Sequence, residues 1–136
     1  MGREGIKARD PDGSSPTTRA SGKKSATPEL TLINPGVHFP GSAVLHWSAG
    51  DGALFTGDVV NVCPDNRWVT LMYSYANHIP ERPQAVRAAA DLLAGYRFER
   101  IYGAWWHRVV ASHGNEVLAR SVARCLRFEQ GTVPGD

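Results

Sequence analysis

Five histidines and thirteen acidic residues are the side chains of this sequence best suited to hold a metal or move a proton near neutral pH, and their spacing singles out one stretch. Across residues 37–58 the chain reads Val37-His38-Phe39-Pro40-Gly41-Ser42, Ala43-Val44-Leu45-His46-Trp47, a polar turn, and Ala53-Leu54-Phe55-Thr56-Gly57-Asp58. The turn, Ser48-Ala49-Gly50-Asp51-Gly52, ends in an Asp-Gly pair, a strong hairpin signal. His38 precedes the first strand of that hairpin and Asp58 follows the second. Antiparallel pairing brings those two ends together. A neutral imidazole beside a carboxylate, each on a Gly-containing turn, makes half of a divalent metal site. Asp58 also suits a plain turn or a helix N-cap.

The remaining histidines are His46, His78, His107 and His113, and no two of the five lie two positions apart. His46 falls within a strand and reads as a surface or satisfied sheet residue. His78 sits in a loop over the hairpin ends, where it either contacts a substrate or serves a turn. His113 precedes Gly114 near a helix start. Trp105 and Trp106 cannot share one side of a continuing strand, so one is expected in the core and the other outside, lining a substrate pocket or an interface. Cys63 and Cys125 are too few for a disulfide framework or a thiolate zinc site.

The elements that must position these residues follow from pattern. Leu30-Thr31-Leu32-Ile33 reads as a strand stopped by Asn34-Pro35-Gly36, a turn that delivers His38. After Asp58 an apolar run leads into the loop Cys63-Pro64-Asp65-Asn66-Arg67. Residues 68–75 fit a short strand or a helical turn equally well. Pro83 at a first helical position, Val86, Ala89, Ala90 and Leu93 at helical spacing, and Gly95 at the end predict a helix. Residues 98–103 read as a strand. A last helix begins near Ser112 or His113, with Leu118, Val122, Cys125 and Leu126 on one face. Strands followed by helix, strand and helix make an α+β or α/β layer.

The 136 residues, 42% of them hydrophobic, suffice for one small core. Residues 1–29 differ from the rest. They hold all three lysines, six basic and four acidic residues, and almost no large apolar side chains, whereas residues 30–136 hold nine of each charge. Such a segment buries too little apolar surface to offset the entropy of ordering it, so it reads as a disordered basic tail. Interspersed acids and the lack of an aromatic argue against a nucleic-acid arm. No run resembles an export signal or is long enough to span a bilayer, so a reduced, cytoplasmic protein is expected and no membrane partner.

Two segments carry a family resemblance. Gly36-Val37-His38-Phe39-Pro40-Gly41-Ser42 resembles the Gly-His-x-Pro-Gly-Ser/His segment of the metallo-β-lactamase-fold hydrolases, and Leu54-Phe55-Thr56-Gly57-Asp58 resembles their Leu-x-x-Gly-Asp segment. The likeness continues through Asn77-His78-Ile79-Pro80 and Ile101-Tyr102-Gly103-Ala104-Trp105-Trp106, and so covers about residues 30–136. It implies an incomplete αββα sandwich, one sheet with flanking helices, forming the C-terminal half of such a domain. It also implies zinc, with His38 a ligand, Asp58 a bridging ligand and His107 standing nearest to the last family ligand. The family's hallmark, His-x-His-x-Asp-His on an early loop, is absent from this chain.

Two functions follow. As an enzyme, a zinc-bound water would attack an ester, thioester, lactone or similar bond of a small-molecule substrate, with His38, Asp58 and His107 as ligands and Trp105, Trp106 and His78 at the substrate. No residue is placed to orient that water, so no catalytic residue is assigned and an impaired, truncated hydrolase is expected. The alternative is a catalytically silent fragment or binding module. Its bare sheet face would self-associate or await a separate N-terminal half.

Overall fold

The structure is a computed structural model that describes residues 22–25 and 28–131. In chain order its elements are β1 (Gly22–Ser25), β2 (Leu30–Asn34), β3 (Val44–Trp47), β4 (Ala53–Gly57), β5 (Asn61–Val62), β6 (Val69–Thr70), β7 (Met72–Ser74), β8 (Ile79–Pro80), α1 (Pro83–Ala94), β9 (Arg100–Gly103), β10 (Val109–Val110) and α2 (Gly114–Glu129).

The predicted hairpin forms, with Leu45 opposite Phe55 and Trp47 opposite Ala53, about a tight turn centred on Gly50-Asp51 and closed by the Gly52 N–H on the Ala49 carbonyl. Gly52 has φ +81°, and a Cβ there would lie 2.1 Å from the Arg97 carbonyl oxygen, so the turn requires glycine twice over. Glu99 N–H donates to the carbonyls of Asp51 and Gly52. These bonds dock the hairpin turn against the start of β9.

β9 runs parallel to β4, with Phe55 opposite Tyr102 and Gly57 opposite Gly103, and α1 lies in the connection between them. The sheet order is β1-β2-β3-β4-β9-β10, every other neighbouring pair being antiparallel. Cross-strand partners share a face, so His46, Leu54, Ile101 and Val110 form one row, and all four are buried. Val86, Ala89 and Leu93 of α1 and Val117, Leu118 and Val122 of α2 join the same core. Both helices therefore serve one face. The other row is Leu32, Leu45, Phe55, Tyr102 and Val109, none of them buried.

The structure extends several sequence expectations and corrects others. Gly22–Ser25, inside the stretch expected to be disordered, forms an edge strand on β2. Backbone pairing to an existing edge does not require apolar side chains, which is why composition missed it. The other residues of the expected tail, 1–21 and 26–27, lie outside the described ones. Residues 68–75 resolve into two strand pieces: β6 pairs with β5, and β7 pairs with β8. α1 begins at Pro83 as read, and α2 begins at Gly114 with His113 at its N-cap. Trp105 and Trp106 are both exposed, at 68% and 92%, because β9 ends at Gly103 and strand alternation stops before them. No described helix is long and apolar enough to cross a membrane.

Candidate functional site

The antiparallel β3–β4 pair and the parallel β4–β9 pair put the start of β3 and the ends of β4 and β9 on one rim of the sheet. His38 precedes β3, Asp58 follows β4, and Trp105, Trp106 and His107 follow β9, so all five belong to loops at that rim.

The approach to His38 is built locally. Asn34 Oδ1 accepts the Gly36 N–H, which closes the predicted turn, and Ser42 Oγ donates to the Val37 carbonyl across the Pro40-Gly41 bend. His38 has φ +70°, a left-handed conformation that histidine adopts more readily than most residues but still at a cost. The carboxylate of Glu81, 1% exposed, accepts the His38 main-chain N–H at 2.8 Å and the Arg82 N–H at 3.1 Å. A buried carboxylate 43 residues away in sequence thus fixes the His38 backbone. His38 Nδ1 lies 3.1 Å from the Met72 carbonyl oxygen. A carbonyl only accepts, so Nδ1 carries the proton and, in the neutral ring, Nε2 carries the lone pair. This is the arrangement by which an outer hydrogen bond orients a metal-binding imidazole.

Tyr75 joins His38 to Asp58. Its ring centroid stands 5.6 Å from that of His38, and its hydroxyl donates to the Asp58 carbonyl at 3.1 Å. Burial, with a smaller contribution from the Asp58 charge and a partly offsetting hydrogen bond with Thr70, pushes the Tyr75 phenol up to about 12. The hairpin ends are therefore held together as the sequence predicts. Asp58 is exposed, and the residues after it form a turn closed by Val59 N–H on the Thr56 carbonyl, so it caps no helix.

His78 lies in the β7–β8 turn with φ +54°, and its N–H donates to the Tyr75 carbonyl, consistent with the turn reading. His107 is exposed, has φ +62°, and lies in a loop closed by Arg108 N–H on the Trp105 carbonyl and Gly103 N–H on the Arg108 carbonyl. No group of three or more His, Cys, Asp and Glu able to hold a metal occurs among the described residues. His107 thus does not complete a set with His38 and Asp58, and these residues do not by themselves fit a zinc site, which needs about three protein ligands. His46 is a satisfied sheet residue: its Nε2 donates to the Arg97 carbonyl at 2.7 Å and its ring packs on Tyr96. Burial raises the thiols of Cys63 and Cys125.

Beside the His38 loop, Pro40, Tyr73, Ile79, Pro80 and Arg82 line a cavity of about 520 Å³. A second cavity, of about 640 Å³, lies on the other side of β7, among Leu71, Met72, Val86, Arg124 and Phe128. Nothing in residue type or spacing points to Glu81 or Tyr75 as parts of the site. A lone Glu before Arg-Pro reads as solvated, and only the fold shows that its carboxylate is buried.

No protein-family profile and no solved structure matches the chain. It is similar to a protein of Bacillus subtilis (strain 168), "Uncharacterized protein YmaE", at 41% identity over 103 residues, which cover 74% of this chain and 37% of that protein. The chain spans little more than a third of the length of this relative.

Proposed function

We propose that this chain is the C-terminal part of a metallo-β-lactamase-like hydrolase domain, that His38 and Asp58 are the zinc ligands it contributes, and that it does not turn over an ester, thioester or lactone by itself. The observation that carries the reading is the convergence at one rim. The His38 ring, with its Nδ1 proton on Met72, stands against Tyr75, whose hydroxyl holds the Asp58 main chain. A longer relative, little more than a third of which this chain spans, is in keeping with a partial domain. His107 is the remaining imidazole at that rim and would join only after its loop closes on the pair.

Metal analysis tests this. The purified chain, dialysed against micromolar zinc, is expected to hold less than one equivalent, and His38→Ala and Asp58→Ala are each expected to lower it to background. Zinc uptake indifferent to both substitutions would refute the ligand assignment. One tightly held equivalent with measurable hydrolysis would refute the incompleteness.

A second reading, a non-catalytic binding module, is favoured by one observation: Trp106, 92% exposed, and Trp105 present two large rings at the same rim. Ligand binding lost in Trp106→Ala and kept in His38→Ala would select it.

A further inference from the structure

We propose that the cavity between the end of α2 and β7 is a binding site for a free, single-chain aliphatic carboxylate, with Arg124 holding the carboxylate and the cavity walls the chain. The inference rests on the covered face of the sheet and is independent of the zinc reading.

The Ser121 hydroxyl accepts the Val69 N–H at 3.0 Å, which fixes the middle of α2 on β6. One turn further on, Arg124, Cys125, Phe128 and Glu129 share one stripe of the helix and, with Leu71 and Val86, line a cavity of about 640 Å³. That volume suits a small molecule. Leu71 and Val86, 3% and 1% exposed, form its floor, and Phe128, 57% exposed, forms its lip. Cys125 counts with the apolar wall, because burial raises its thiol and keeps it neutral near pH 7. Both helices bound the cavity, so it lies on the face of the sheet that they cover. A further layer on the outer face would leave it open.

Charge sets the sign of the ligand. The Arg124 guanidinium carbon lies 3.4 Å from the Trp68 ring centroid, close enough that the planar group must lie flat on the indole. Its N–H donors then point along that plane, in the fork that matches a carboxylate. No ion pair among the described residues uses Arg124. Asp65, whose charge it reaches, is already held by Arg67 through bonds of 2.9 and 2.8 Å. Arg120, over the same ring, donates to the Arg67 carbonyl. Burial pushes the Glu129 carboxyl up, and the cation acting on it is Arg87 of α1. One half-buried guanidinium with unspent donors beside an apolar wall is complementary to a monoanion with a hydrocarbon tail.

Calorimetric titration of the full chain with octanoate, octan-1-ol and octylammonium tests the site, with Arg124→Gln and Phe128→Ser checked for folding by circular dichroism. Octanoate is expected to saturate at one equivalent per chain and to shift the Leu71 and Val86 amide resonances. The alcohol and the amine are each expected to bind at least tenfold more weakly. Arg124→Gln is expected to weaken octanoate about tenfold, as loss of a charge-assisted pair does, and Phe128→Ser to weaken octanoate and octan-1-ol alike. Octanoate that does not saturate overturns the proposal, as do equal affinities for the three probes. Binding unaffected by either folded variant, or amide shifts confined to the His38 rim, also overturns it. If one variant fails to fold, the other decides.

Discussion

Glu81 offers the sharpest test of how the His38 loop is held. Its side chain is inaccessible, and it accepts the N–H groups of His38 at 2.8 Å and Arg82 at 3.1 Å. The Arg82 guanidinium, 3.6 Å away, is 65% exposed, so this ion pair contributes little. The two charge-assisted hydrogen bonds matter more. Glu81→Ala removes both acceptors and leaves the half-buried His38 N–H without a carboxylate, at an expected cost of about 3 kcal/mol. Glu81→Gln keeps the shape and one acceptor oxygen and is expected to cost about 1 kcal/mol. At roughly 3–5 °C per kcal/mol for a domain of this size, Glu81→Ala lowers Tm by about 9–15 °C. Urea melts followed by circular dichroism measure the difference, and the His38 amide resonance reports the loop directly. Loss of the carboxylate is expected to shift that resonance upfield in both variants, more in Glu81→Ala. A Glu81→Ala protein within about 0.5 kcal/mol of wild type, with the His38 amide unmoved, would refute the reasoning.

Three further outcomes are expected. Gly52→Ala forces a Cβ to 2.1 Å from the Arg97 carbonyl at φ +81°, and should cost about 3 kcal/mol from strain and overpacking. Gly50→Ala, at φ +61° with no atom within 4 Å, should cost only about 1 kcal/mol, so paired thermal melts separate close approach from dihedral strain. Ser121→Ala leaves the buried Val69 N–H, now bonded to Ser121 Oγ at 3.0 Å, without its acceptor and should cost about 1–2 kcal/mol in a urea melt. For Tyr75, raised to about 12 by burial, the neutral phenol is favoured by folding. The stability tied to it is fully present below the ordinary tyrosine value near pH 10, and is lost as pH rises towards 12. Phenolate absorbance should show one late-ionising tyrosine that is missing in Tyr75→Phe.

What was legible in the sequence was local. Asp51-Gly52 marks a hairpin turn, in which the glycines on either side of Asp51 hold φ +61° and +81°, and Pro83 with Val86, Ala89 and Leu93 declares a helix and its buried face. From the hairpin alone the convergence of His38 and Asp58 followed, since antiparallel ends must meet. The parallel register of β9 on β4 was not legible: pairing across an intervening helix leaves no local trace, yet it sets the Trp105–His107 loop at the same rim. Trp105 and Trp106 escape strand alternation for a related reason, because β9 ends at Gly103 and the chain turns there, leaving both rings exposed. The partners of His38 were invisible as well. Met72 acts through its carbonyl and Glu81 through burial, and neither property belongs to residue type.

The two faces of β4 connect the rim to the sheet. Ala53 and Leu54 are buried, Phe55 is 39% exposed and Thr56 is buried, so four successive residues before Gly57 are apolar or hydroxyl-bearing without a polar-out alternation. Thr56 donates to the Val60 and Tyr102 carbonyls, which removes its only polar group from solvent demand. Strands written this way belong to sheets covered on both sides. Here the helices cover one side only, and the rim that gathers His38, Asp58 and His107 is the edge shared by the covered and uncovered faces. A second apolar layer on the outer face would therefore border the same rim.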